Sequence, residues 1–293
     1  MDRGMEMGPG RTRRHHPPHA HHPLLICRPG SISMRTITNH TPGPIELILN
    51  IGAGTVEVHV ENRDHAELIL TPVTADDTTA TDLINRASTT PRPGALQVAV
   101  PRPPATSFGN RNSHVSVRDS GVVMVSGGSV NMVNGRIVSG HGAVIFSSDT
   151  DGAIRTTVRL PLGSKLTLDT DNADLITHGH LSKLHANVEC GDVETIGLVD
   201  KLYVVTVTGD VTVAQAGLAA VDCLSGGIRI DRLDGTAHLR TMSGDIRVEA
   251  QDGTKIRAES ISGDITVHAI GGGTVDTDAR TISGRVRTTG GAR

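Results

Sequence analysis

The residues of this chain that could do chemistry include a histidine cluster near its start. Its members are His15, His16, His19, His21 and His22. Clustered imidazoles can bind zinc, nickel or copper. The same stretch contains Pro17, Pro18 and Pro23, which oppose regular structure. We therefore predict that residues 1–33 form a disordered, His/Pro-rich leader rather than a metal site.

A second group with chemical potential is a row of aspartates in a recurring phrase of the form [Ser/Thr]-Gly-Asp-[Ile/Val]-x-Val. Its members are Asp192, Asp210, Asp245 and Asp264. Stacked carboxylates bind calcium in some β-rolls, but those repeats supply several oxygen ligands per turn. This chain offers one Asp per copy of the phrase, and Gly227 and Arg285 interrupt the row. We therefore predict that these carboxylates accept backbone N–H groups in turns.

The remaining candidate motifs are incomplete. Cys27, Cys190 and Cys223 contain no CxxC pair, so neither a disulfide framework nor a zinc ribbon is predicted. Gly52-Ala-Gly54 lacks the third glycine and the helix of a dinucleotide-binding loop, and no GxxxxGK[ST] phrase occurs. The sequence therefore predicts a non-enzymatic protein, with no catalytic, cofactor-binding or metal-binding residues and no cofactor.

The composition restricts the kind of core that must position these residues. The chain has 293 residues and 34 glycines, but no Trp, one Tyr and two Phe. Aromatic rings normally supply much of the buried area of a broad core. A core of Val, Ile, Leu, Ala and Thr suits closely spaced strands instead. The formal net charge of −3 is mild and implies no strong electrostatic attraction to nucleic acid.

Alternating apolar and polar residues predict strands in the first part of the chain. Ile45–Ile51 and Val56–Val60 each place their apolar residues on one face. Thr74–Ala87 predicts the one helix, with Thr74 as its N-terminal cap. We therefore predict a β-rich region with one short helix over residues 34–104.

Residues 105–150 are rich in Gly, Ser and Asn. Within them, Asn134-Gly135 lies between the β-prone segments 129–133 and 136–138. Both central residues of a type I′ turn need positive φ, which Asn and Gly accept. We predict that residues 105–150 are a Gly/Ser-rich insert that carries a hairpin.

The rest of the chain, residues 151–293, is a repeat. The motif glycines are Gly191, Gly209, Gly226, Gly244, Gly263 and Gly284, at spacings of 18, 17, 18, 19 and 21 residues. Short alternating segments separated by glycine turns at this period predict an all-β fold. That fold is a single-stranded β-helix, or β-solenoid, with repeats of about 18 residues.

Stacking the copies in register predicts three apolar rows that point into the core. The first row is Val193, Val211, Ile228, Ile246, Ile265 and Val286. The second row is Val213, Ile230, Val248 and Val267. The third row, two residues before each motif glycine, is Val207, Leu224, Met242, Ile261 and Ile282. Outward ladders such as Arg229, Arg247 and Arg287, mixed with Thr212 and Thr266, are predicted to face solvent or a partner.

The sequence shows no complete export signal and no membrane span, so we expect the protein in the cytoplasm. Arg13-Arg14 could begin a twin-arginine export signal. The apolar stretch that follows, Pro23–Cys27, is shorter than the roughly 7–15 apolar residues that export requires. No run approaches the ~20 apolar residues of a membrane span.

The repeated Ser-Gly-Asp-Ile-x-Val phrase resembles that of a bacterial family of unknown function called "putative adhesin". The opening Ile-x-Leu-x-Leu-x-Ile-Gly-Ala-Gly-x-Val-x-Val of residues 45–58 is also similar to that family. The similarity covers residues 34–293 and is greatest to the actinobacterial members without a signal peptide. The resemblance implies a β-helical fold and no established catalytic residues.

Three functions are compatible with such a chain. The first is a scaffold that binds or assembles with a protein or surface partner. The second is a polymerising cytoskeletal solenoid that self-associates through its end coils. The third is a carbohydrate-active enzyme, which would need paired acids and aromatic platforms. Tyr203 is the sole aromatic ring of the repeats, and pairs such as Glu189 with Asp192 are scattered. We therefore favour the scaffold.

Overall fold

The structure, a computed structural model, describes most of the chain outside the leader and the insert. The described residues are 34–102, 115–118, 122–125, 131–133, 136–139 and 152–292. The predicted leader and its histidine cluster lie outside them.

Strands make up nearly all of the described chain. Before the insert they are β1 (Arg35–Asn39), β2 (Glu46–Glu61), β3 (Ala66–Pro72), β4 (Ser88–Arg92) and β5 (Ala95–Ala99). Within the insert they are β6 (Val115–Arg118), β7 (Val122–Val125), β8 (Asn131–Val133) and β9 (Arg136–Ser139). The next are β10 (Ile154–Pro161), β11 (Lys165–His178), β12 (Lys183–Cys190), β13 (Val193–Thr208), β14 (Val211–Ser225) and β15 (Ile228–Ser243). The last are β16 (Ile246–Ala250), β17 (Lys255–Ser262), β18 (Ile265–Ala269), β19 (Thr274–Ser283), β20 (Val286–Thr289) and β21 (Gly291–Ala292).

The repeat strands stack in parallel as a β-solenoid of about seven turns, as the period predicted. Consecutive coils are aligned residue for residue except at three register shifts, which follow Thr195, Ala216 and Ile230. Equivalent side chains within the aligned stretches form rows about 4.8 Å apart. One such row of directly paired residues is Val56, Leu175, Val193, Val211, Ile228, Ile246, Ile265 and Val286. The first predicted row is therefore real, and it is longer than predicted.

The solenoid includes residues from before the insert. β2 pairs in parallel with β11 over Glu46–His59 and with β10 over Gly54–Glu61. One continuous hydrophobic core contains buried residues from Ile37 to Val275. The boundary expected at residue 151 thus does not separate two cores, because β2 supplies the first coil. Antiparallel pairs β1–β3, β3–β10 and β4–β5 flank that coil.

The helix, α1 (Thr78–Arg86), begins later than predicted, and its cap is Asp77 rather than Thr74. The Asp77 carboxylate accepts the N–H of Ala80 at 2.9 Å and the N–H of Gly152 at 2.6 Å. An Asp one residue before the helix satisfies free N–H groups that Thr74 lies too far away to reach. In the insert, β8 pairs antiparallel with β9, which agrees with the predicted hairpin.

The third predicted row does not point into the core. Val207, Leu224, Met242, Ile261 and Ile282 are all exposed. Alternation along β13 buries Val204 and Thr206, which turns Val207 to solvent. A shift of one residue moves every side chain of a strand to the opposite face. The first and second rows are buried as predicted, except for Val286 in the last coil.

Neighbouring residues of β16 provide a test of the inward and outward assignment. Ile246 is buried in the dry core, whereas Arg247 points outward with 60% of its side chain exposed. We expect Ile246→Asp to abolish folding or to cost more than about 4 kcal/mol, because it buries an unpaired charge. Arg247→Asp should change the free energy of unfolding by less than about 1 kcal/mol. Urea denaturation followed by circular dichroism measures both, and similar losses would contradict the assignment.

Candidate functional site

From Gly191 onward the corners of the coils form a stack of glycine backbones, and Ala173 takes this position one coil earlier. Gly209 has φ 138°, and a Cβ at this position would lie 2.0 Å from the carbonyl oxygen of Gly191. The same overlap recurs at Gly244, whose Cβ would lie 2.0 Å from the oxygen of Gly226. Real Cβ atoms do not approach a carbonyl oxygen so closely, so only glycine allows the coils to stack here.

Aspartates reinforce this corner by joining each coil to the next one. The carboxylate of Asp192 accepts the N–H of Asp210 at 2.8 Å, and Asp210 accepts that of Gly227 at 2.7 Å. Asp245 and Asp264 do the same for Asp264 and Arg285, at 2.7 and 2.8 Å. The predicted role is confirmed in kind: the carboxylates accept backbone N–H groups. The donors, however, lie in the following coil rather than in the same turn.

Small polar side chains fill the inner side of the corner. Thr241 Oγ1 donates to the Gly226 carbonyl at 3.1 Å, and Ser260 Oγ donates to the Gly244 carbonyl at 3.3 Å. Cys223 Sγ lies 3.7 Å from the carbonyl oxygen of Gly209. These side chains stand three residues before a motif glycine. Because they point inward, the residue that follows each of them must point outward.

The residues that follow form an exposed stripe, which we call the apolar row. It consists of Val207, Leu224, Met242, Ile261 and Ile282, with exposures of 44% to 82%. The apolar row lines an open groove of about 770 Å³ on the surface of the solenoid. Contiguous exposed apolar surface of this kind marks contact sites in soluble proteins.

A second outward row runs beside it, and we call it the charged row. Its paired positions are Val205, Asp222, Arg240, Glu259 and Arg280. The Arg240 Nε atom lies 3.2 Å from Glu259 Oε2, and Arg257 Nε lies 3.0 Å from Glu259 Oε1. The groove is therefore lined by the apolar row and by the mostly charged side chains of the charged row.

Two groups on the groove have pKa values that their surroundings shift. Hydrogen bonding from Arg257, with the nearby arginine charges, lowers the pKa of Glu259, which keeps it ionised and unable to act as an acid. Burial raises the pKa of the Cys223 thiol, which stays protonated and 6% exposed.

The predicted arginine ladder exists, on a different face from the apolar row. The paired positions are Thr212, Arg229, Arg247, Thr266 and Arg287. Arg229 forms an ion pair with Asp231 at 2.7 Å, and Arg247 lies 3.8 Å from Glu249. Two of the three arginines of the ladder therefore lie beside a carboxylate two residues along the same strand. Of the acids considered for an enzyme, Asp192 is engaged in the coil corner.

The structure also brings together a group that the sequence did not indicate. Glu57, His59 and His178 have ligand atoms that all lie within 4.8 Å of one another. His59 and His178 are 119 residues apart but are directly paired across β2 and β11. The group becomes visible only from the register of these two strands. His59 and His178 fall in two different predicted regions, so the sequence offers no reason to place them together.

The stacked parallel coils with glycine corners define a β-solenoid repeat protein. The chain belongs to the Toastrack DUF4097 family, whose sequence model matches residues 49–290. This membership agrees with the resemblance carried by the repeated phrase. No helix among the described residues is long and apolar enough to cross a bilayer.

Solved structures with a similar course of the chain share little sequence with it. One is called a putative adhesin, from Bacteroides fragilis, at 13% identity and a TM-score of 0.45, covering 88% of this chain and 98% of that one. Another of the same name, from Parabacteroides merdae, has 9% identity and a TM-score of 0.42, covering 87% and 96%. A third, called a putative lipid binding protein, from Parabacteroides distasonis, has 14% identity and a TM-score of 0.39, covering 90% and 97%. No curated protein gives a significant match.

The gap in the aspartate row at Gly227 yields a test of the corner bonds. A Cβ on Gly227 would lie 3.5 Å from its nearest neighbours, an ordinary contact. The carboxylate of Gly227→Asp could then accept the N–H of Asp245, as the other aspartates do one coil on. We expect the free energy of unfolding to rise by about 1 kcal/mol, from the new bond and the stiffer unfolded chain.

The adjacent Gly226 is the matched control for this change. A Cβ there would lie 2.1 Å from the carbonyl oxygen of Gly209. Gly226→Asp adds the same carboxylate but should cost more than about 3 kcal/mol, through steric overlap and an unfavourable φ. Urea denaturation measures both variants. A Gly227→Asp protein no more stable than the wild type would contradict the bonding role of the row.

Proposed function

We propose that the chain is a non-enzymatic β-solenoid scaffold, an adhesin-like protein that binds or assembles with a partner through the apolar row. The observation that carries the proposal is the repetition of a large exposed apolar side chain at one position of five consecutive coils. A solvated face would carry polar residues there, as the arginine ladder does.

Geometry supports a partner that runs along the axis of the solenoid. The five side chains of the apolar row follow one another at the spacing of adjacent strands, about 4.8 Å, and span four intervals or about 19 Å. The beginning of the row is marked by Glu189, which occupies the equivalent position one coil before Val207. The apolar surface that a partner covers would therefore end at the charged side chain of Glu189.

The charged row supports selectivity rather than bulk affinity. The row begins with the neutral Val205, and its later side chains alternate in sign along the groove: Asp222, Arg240, Glu259 and Arg280. Exposed pairs of this kind contribute little free energy each, but they penalise partners with the wrong charge order. The apolar row would then supply most of the binding free energy, with the charged row setting the register.

Comparative capture tests the proposal. The full chain, the double variant Leu224→Ser with Met242→Ser, and the control Arg229→Ser with Arg247→Ser are used as baits against an extract of the native cell. All four positions face outward, so each variant should keep the wild-type melting temperature. We expect the bait with Leu224→Ser and Met242→Ser to capture at least about tenfold less of the partner than the wild type does, because central apolar residues dominate the binding free energy of interfaces.

The control bait should retain the partner as the wild type does. Loss of the partner with the arginine-ladder variant alone would overturn the assignment of the surface. Equal retention by all three baits would show that neither row is the contact surface.

Self-association through the end coils is a second proposal, and the last coil favours it. In the described part of the chain, β20 pairs with β18 and with no other strand. Ile282 and Val286, the exposed apolar residues of this end, lie beside that open edge. Unpaired strand edges readily pair between molecules. Sedimentation of the purified chain over a range of concentrations separates this function from binding to another partner.

A further inference from the structure

We propose that Glu57, His59 and His178 form a site for a divalent transition metal of the zinc class, on the face of the first two coils. Nothing about the apolar row requires this site, which lies on a different part of the solenoid. The proposal rests on the chemistry of the three side chains, their separations and the charges around them.

The backbone fixes the three side chains on one surface. Glu57 and His59 are outward residues of β2, and His178 is an outward residue of β11. The pairing of the strands places His178 directly beside His59, and the two imidazole rings stack at 4.7 Å with an angle of 4°. β2 is held on both sides, by β10 and by β11, so this juxtaposition does not depend on a loop.

The separations match those of ligands around one metal ion. Two donors bound to zinc at about 2.0–2.1 Å in tetrahedral geometry lie about 3.4 Å apart. The Glu57 Oε1 atom lies 3.0 Å from His59 Nε2 and 3.8 Å from His178 Nε2. These two distances bracket the tetrahedral value, and the ligand atoms of all three side chains lie within 4.8 Å of one another. Because the two rings are nearly parallel, at least one imidazole must turn about its side-chain torsions before both nitrogens point at one ion.

The neighbouring arginines form ion pairs with acids other than Glu57. Arg159, which is paired with His59 on β10, approaches Glu61 at 3.9 Å and Glu67 at 3.8 Å. Arg63 approaches the same two acids, at 3.5 and 3.3 Å. Among the described residues, the ion-pair partners found for Glu57 are the two histidines. A cation at the site would therefore meet no competing guanidinium on Glu57.

The donor set selects the class of metal. Two imidazole nitrogens and one carboxylate oxygen suit zinc and its neighbours, whereas calcium and magnesium require mainly oxygen ligands. Three protein ligands leave a fourth position for water, and the side chains are 35% to 44% exposed, so that position faces solvent. Bound metal would join the first coil to the second, because its ligands come from both.

Thermal melting of the full chain in zinc tests the proposal. The chain is first stripped with a chelator, and then compared with His59→Gln, His178→Gln and the control His185→Gln, an exposed histidine of β12. The histidines of residues 15–22 are present in all four proteins, so differences between them report only on the substituted positions. With zinc about a hundredfold above its dissociation constant, we expect wild type and control to melt roughly 5 °C higher.

The two site variants should lose most of that rise while keeping the metal-free melting temperature of the wild type. Cobalt, used as a visible probe of the same site, should give strong absorption bands with wild type and control that the site variants lack. Glu57→Gln should weaken cobalt binding by about tenfold or more and serves as the check if a histidine variant fails to fold. Equal zinc-dependent shifts and equal cobalt spectra in all proteins would overturn the site.

Discussion

The close approach of glycine backbones at one corner of the coil is the constraint on which the rest of the structure depends. Each motif glycine meets the carbonyl of the residue at the same corner one coil earlier, at a distance that leaves no space for a Cβ. That residue is Ala173 for Gly191 and a glycine for the later ones. Because the corners coincide, the strands that leave them are aligned residue for residue. The apolar core, the aspartate bonds and the outward rows all follow from this alignment.

The corner also explains why apolar side chains are exposed. Its inner side is filled by Thr, Ser and Cys side chains that approach the glycine carbonyls, which satisfies backbone groups that the turn leaves unpaired. The next position in each coil is thereby forced to the surface. The protein places Val, Leu, Met or Ile there in five coils, although nothing in the fold requires an apolar residue at that position. The exposure of these side chains is the basis for proposing that the apolar row is a contact surface.

Much of the solenoid could be predicted from the sequence, because glycines at the corners and apolar residues on the inward faces recur at a nearly constant period. The glycines marked the corners, and Ile246 and Val248 marked two inward rows correctly. The prediction for the third row is wrong because it rests on apolar character alone, whereas the alternation of β17 from Ala258 places Ile261 on the outward face. A one-residue shift cannot be seen in composition, only in the alternation of the strand.

Long-range pairing was the part that sequence reasoning could not supply. β2 keeps only the Gly-x-Val-x-Val part of the repeated phrase, at Gly54–Val58, and lacks its Asp. Its place as the first coil is therefore seen from its pairing with β11. The meeting of His59 with His178 follows from that same pairing. The helix cap differed for a local reason, since both Thr74 and Asp77 are suitable capping residues and only the start of the helix decides between them.

The most direct test of this account compares two glycines by urea denaturation. Gly244 stands at the stacked corner, where a Cβ would lie 2.0 Å from a carbonyl oxygen. Gly253 has φ 78° in another turn, and a Cβ there would meet nothing within 4 Å. The account predicts that Gly244→Ala lowers the free energy of unfolding by more than about 3 kcal/mol, and Gly253→Ala by about 1–2 kcal/mol through φ alone. Equal losses in the two variants would contradict the claim that glycine stacking sets the register of the solenoid.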